Sequence, residues 1–126
     1  MVKRKTKWRG DEYPQATTPQ TLPTGHYVAR AYHFFKAFAF TVVIAYGGSF
    51  VIGFEDSQVY AQEDSKVTAE EGSYVLACAG SHVIAKPGSH VRVQKDADVV
   101  AFGDANIHLE PGASFTAHGV VNVFYT

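Results

Sequence analysis

One eight-residue phrase, repeated without a gap, limits this chain more than any other feature. Val75-Leu-Ala-Cys-Ala-Gly-Ser-His82 is followed at once by Val83-Ile-Ala-Lys-Pro-Gly-Ser-His90. A fixed short period marks a unit that cannot close a core alone and must stack on copies of itself. The octads begin at Val43, Val51, Val59, Val67, Val75, Val83, Val91, Val99, Ile107 and Phe115. Position three is Ala in seven of the ten octads, the others being Gly53, Val93 and Leu109. Position six is Gly or Asp in the first nine octads (Gly48, Asp56, Asp64, Gly72, Gly80, Gly88, Asp96, Asp104, Gly112). Position seven is Ser or Ala over the same span.

Each column has a physical reading. Positions one and three share one side of a strand, because side chains alternate. Val and Ala there fill a narrow interior. Position six requires a left-handed corner, which Gly adopts without steric cost and Asp tolerates. A Ser at position seven can bond the local backbone at the turn. Each octad is therefore a short strand plus a sharp corner. The expected fold class is all-β: a short parallel β-helix with an extended N-terminal arm.

The outward positions two and four bear on how many octads complete a coil. With three octads per coil, one face carries Ile52, Phe54, Leu76, Cys78, Val100, Phe102 and Phe124, and two faces are mainly polar. With two octads per coil, neither face is clean. Pro87 and Pro111 also stand three octads apart. This pattern predicts a triangular solenoid, an octapeptide repeat with three octads per coil, and an apolar stripe that something must cover. Those seven residues are the candidate interface, covered either by another subunit or by the aromatic segment with Phe34, Phe35, Phe38 and Phe40. A homotrimer is the expected closed arrangement of such prisms.

Three regions are expected: a basic and Pro-rich arm over 1–26, an aromatic cap or degenerate first repeats over 27–42, and the octad solenoid over 43–126. In the second region Tyr32 and Phe40 occupy positions where Gly or Asp belongs. In the arm, Lys3, Arg4, Lys5, Lys7 and Arg9 surround Trp8, with Pro14, Pro19 and Pro23 behind them. Such a segment cannot bury enough to fold alone, and its composition suits either a solvated, disordered tail or an extended arm that becomes ordered by lying on a partner.

The formal net charge is −1, which gives no global field for nucleic acid. The uncharged run Ala37 to Phe54 is long enough to flag as a membrane span. Gly47-Gly48-Ser49 and its octad phase argue against one. Cys78 is the only cysteine, and it reads as a small hydrophobe rather than a redox centre. Asp56, Asp64, Asp96 and Asp104 read as corner residues rather than paired catalytic carboxylates. The histidines lack metal-ligand spacing. No catalytic residue, cofactor or metal is expected, and no enzyme.

The run Val67 to Gly112 resembles the octapeptide-repeat solenoids of bacterial and phage genomes, and the likeness extends over about Val43 to Asn122. It implies the fold and carries no catalytic residue. The chain is less similar to the bactofilins, which join a flexible tail to a β-helix with a different repeat. The functional expectation is a structural protein, a phage or virion capsid decoration anchored to a lattice by its arm. The alternatives are a filament-forming scaffold in the bacterial cytoplasm, or a small inhibitor or toxin-associated binding module.

Overall fold

The computed structural model describes residues 20–125. The chain runs as β1 (Gln20–Leu22), β2 (Gly25–Ala29), β3 (Phe34–Ala37), β4 (Thr41–Ala45), β5 (Phe50–Gly53), β6 (Gln58–Ala61) and β7 (Lys66–Ala69). It continues as β8 (Tyr74–Ala77), β9 (His82–Ala85), β10 (His90–Val93), β11 (Asp98–Phe102), β12 (Asn106–Leu109), β13 (Thr116–His118) and β14 (Asn122–Tyr125). No helix occurs among these residues, and their strands pair in parallel. The all-β solenoid read from the octads is the fold observed.

The number of octads per coil differs from the sequence expectation. Odd-numbered strands form one seven-stranded sheet and even-numbered strands form another. Val59 pairs with Val75, and Val75 with Val91, so one coil spans two octads rather than three. The solenoid is two-walled, not triangular, with a strand of each wall in every coil. At ~4.8 Å per strand its length is on the order of 30 Å.

The interior explains the two walls. Position one (Val43, Val51, Val59 and their equivalents) and position three (Ala45, Ala61, Ala69) are almost fully buried. A methyl group placed on Gly53, at position three of the odd wall, would sit 2.9 Å from Ser57 Oγ and 3.3 Å from Val59 Cγ2 on the opposite wall. Residues this small meet across two facing walls. Spread around three walls, they would leave an axial void.

The corners follow the column rule closely. All nine Gly and Asp residues at position six have φ between 64° and 83°. The amide of position seven bonds the carbonyl of position four, as in Ser57 N to Phe54 O at 3.0 Å. The third turn residue takes the positive φ, and proline is accepted at the second (Pro87, Pro111). That is the pattern of a type II β-turn. The serine hydroxyl donates to the same carbonyl: Ser49 to Tyr46, Ser57 to Phe54, Ser65 to Gln62, all at 2.6–2.7 Å. Corner amides also bond the next coil, as in Asp56 N to Gly72 O at 3.0 Å. The backbone is thus paired around the bends as well as along the walls.

The solenoid starts earlier than the octads suggested. Strands β1 and β2 are in the ladder, so the solenoid already includes Gln20–Leu22 and Gly25–Ala29. Tyr32 and Phe40 are corner residues with φ of 73° and 62°, so 27–42 consists of degenerate repeats and not a separate cap. The uncharged run Ala37 to Phe54 forms strands, and no helix among the described residues is long and apolar enough to cross a membrane. The last corner is irregular: Gly119, not Val120, takes the positive φ.

Candidate interaction surface

Three outward columns run up each wall, at positions two, four and eight of the octad. Like positions on successive coils lie one strand apart, as Ile52 lies beside Thr68. Outward side chains therefore stack on their equivalents two octads away. On the odd wall, position eight carries Phe34, Phe50, Lys66, His82 and Asp98. Position two carries Lys36, Ile52, Thr68, Ile84, Val100 and Thr116. Position four carries Phe38, Phe54, Glu70, Lys86, Phe102 and His118.

Stacking along these columns is extensive. Phe38 lies on Phe54 with centroids 4.5 Å apart and planes 5° apart. Phe34 meets Phe50 at 5.8 Å, and Phe102 meets His118 at 5.3 Å. Lys66 Nζ sits 5.4 Å from the Phe50 ring, and Lys36 Nζ sits 5.9 and 5.7 Å from Phe38 and Phe54. These are cation–π contacts on a sheet surface. Farther along, Lys86 approaches Glu70 at 3.9 Å and His82 Nδ1 lies 3.1 Å from Asp98.

The even wall carries polar and aromatic contacts together, with Tyr60, Tyr74 and Phe124 exposed on it. Arg92 Nε donates to Glu110 at 2.7 Å, Tyr74 stacks on His90 at 4.9 Å, and His108 stacks on Phe124 at 4.8 Å. Asn122 donates to Asn106 at 3.1 Å. A shallow groove of about 440 Å³ runs beside Tyr60, Tyr74, His90 and Arg92. The ring faces of Tyr74 and His90 are turned to one another along the column.

The seven residues expected to form one apolar stripe are divided between the walls. Ile52, Phe54, Val100 and Phe102 lie on the odd wall, and Leu76, Cys78 and Phe124 on the even wall. The odd-wall residues are joined by Phe34, Phe38, Phe50 and Ile84, which a three-octad frame scatters. Phe50 is 46% exposed, Ile84 43% and Phe38 39%. Part of the signal for this grouping stood in the sequence at position eight, where Phe34 and Phe50 fall in one column.

Burial of the Cys78 thiol raises its pKa above the ordinary thiol value, and the nearby Glu110 carboxylate adds to the effect. Desolvation and a like charge both disfavour the thiolate. Cys78 is a protonated, partly buried side chain, not an activated nucleophile. Among the described residues no cluster of three or more His, Cys, Asp or Glu is arranged to hold a metal ion. Lys3, Arg4, Lys5, Lys7, Trp8 and Arg9, the expected partner-binding arm, lie outside the described residues. No protein-family model matches this chain, and no curated protein matches it.

Proposed function

We propose that this chain is a non-enzymatic structural protein of a larger assembly, and that it self-associates through the outer face of the odd wall. The observation that carries this reading is the run of exposed apolar side chains there. Phe34–Phe50 and Phe38–Phe54 flank Ile52, and Ile84, Val100 and Phe102 form a second patch beyond the row of Lys66, Thr68 and Glu70. Apolar patches of this kind mark contact sites. The wall that carries it is rigid, because interior, corners and outer columns repeat the same bonds in successive coils.

The octad phrase supports membership of the octapeptide-repeat solenoid group of bacterial and phage genomes. A small prism with one adhesive face and a basic arm suits a virion decoration or minor capsid protein, with the arm anchored in the lattice. The expected trimer follows from three walls. With two walls, a flat face pairs equally well with one copy across a two-fold axis.

Sedimentation velocity tests the reading. The wild-type chain should sediment as an oligomer at micromolar concentration. Phe50→Lys with Ile84→Lys should yield a folded monomer. A wild type that stays monomeric at high concentration would overturn self-association through this wall. Electron micrographs showing end-to-end filaments would instead favour the scaffold alternative.

A further inference from the structure

The corner that follows the odd strands differs in charge from the rest of the prism. Phe38 and Phe54 form the stacked floor of a groove of about 510 Å³, and Glu55, Asp56, Glu70 and Glu71 line its rim. The glutamate stems are seated by glycine corners of the next coil: a methyl group on Gly72 would lie 2.8 Å from Glu55 Cγ, and one on Gly88 2.8 Å from Glu71 Cγ. Glu70 has Lys86 at 3.9 Å. Glu55, Asp56 and Glu71 make no ion pair among the described residues. The floor already holds one cation, since Lys36 lies over both rings. The groove is therefore apolar at its base, acidic at its edge and able to bind a cation on its aromatic face.

The complementary segment is in the same chain. Residues 3–9 carry five cations and Trp8, and they precede β1 by a linker that begins after Arg9 and ends at Gln20. The groove lies one strand length and one to three coils from the start of β1. That is a span on the order of 10–20 Å. The ten residues from Gly10 to Pro19 span at most about 35 Å when fully extended, so the groove is within their reach. A tethered segment that can reach its site has an effective concentration in the millimolar range.

We propose that this groove docks residues 3–9 of its own chain. The Trp8 indole packs against the Phe38–Phe54 pair, and the Lys and Arg side chains meet the carboxylates of Glu55, Asp56, Glu70 and Glu71. The arm assigned above to anchoring is then stowed on the prism before assembly. Docking rests on that reading only for the arm's later use.

Trp8 is the single tryptophan of the chain, so its fluorescence reports the arm directly. In the full-length protein, acrylamide quenching of Trp8 should be several-fold weaker than in a peptide of residues 1–12. High salt, on the order of 1 M, should remove most of that protection by screening. Glu55→Lys with Glu71→Lys should raise quenching to the peptide's level. Lys is tolerated at the equivalent corner position, where Lys95 stands. Glu63→Lys, on the opposite corner, should change nothing. Circular dichroism of each variant confirms the β fold. Equal quenching in the peptide, the wild type and both variants would overturn the proposal. So would protection that disappears on hundredfold dilution, which would place the arm on a second copy. The oligomeric state of the same samples is read separately. A monomer with a protected Trp8 would overturn the self-association reading and leave the docked arm standing.

Discussion

The hydroxyl of Ser57 donates to the carbonyl of Phe54 at 2.6 Å, on the same oxygen that accepts the Ser57 amide. The bond repeats at Ser49, Ser65, Ser73, Ser81 and Ser89. Each serine is fully buried, so the bond is what allows a polar atom inside the prism. Ser57→Ala removes a donor but leaves the carbonyl bonded to an amide. The expected loss is about 1 kcal/mol, measured by urea denaturation. Ala97, Ala105 and Ala113 show that alanine fits the same position sterically.

Thr41 occupies that position in a degenerate octad and breaks the rule. Its Oγ1 is buried with no hydrogen-bond partner among the described residues, while its amide still bonds Phe38 O at 3.1 Å. Thr41→Val keeps the shape and removes the unpaired hydroxyl. The variant should be more stable than wild type by about 1 kcal/mol in the same denaturation experiment.

Phe40 holds a left-handed corner with φ of 62°, and its side chain is 74% exposed. The conformation is costly for a residue with a large Cβ substituent, and little burial offsets it. Phe40→Gly should raise stability by up to about 1 kcal/mol, less the extra entropy glycine gives the unfolded chain. At Asp56, by contrast, a β-branched replacement such as Asp56→Val should cost about 1–2 kcal/mol. Thermal melts of the two variants should move in opposite directions.

The Cys78 thiol titrates above its ordinary value through burial first and the Glu110 carboxylate second. The sign for stability comes from proton counting. As pH rises past the ordinary thiol pKa, the unfolded chain loses this proton before the folded one. The native state then binds more protons, and this residue's contribution makes stability fall as pH rises. A thiol-reactive dye should therefore label native Cys78 with an inflection at higher pH than the urea-unfolded chain. Glu110→Gln should lower that inflection without abolishing it, because the larger cause remains.

Most of the fold was legible because the repeat wrote it many times over. Val at position one, Ala at three and Gly or Asp at six each specify a backbone or packing property that holds in any coil. The coil size was harder to read because those columns repeat every octad, so they fit two walls and three alike. What decides between them is interior volume, and Ala45, Ala61 and Gly53 are too small to line a triangle. The outward residues misled because Leu76 and Cys78 are apolar yet sit on the opposite wall from Ile52 and Phe54. The early coils were obscured because Tyr32 and Phe40 accept a strained corner that composition alone argues against. The aromatic floor and acidic rim became visible only when Phe38 fell one strand from Phe54 and Glu55 one strand from Glu71.

The two-octad coil also shapes how such a gene can change. Duplication or loss of one octad by replication slippage leaves the interior intact, since every octad fills it alike. It transfers every downstream side chain to the other wall, exchanging the odd face for the even one. A slip of two octads only lengthens or shortens the prism. A lineage with this repeat can therefore reverse which surface its distal half presents in a single mutational step, without passing through an unfolded intermediate sequence.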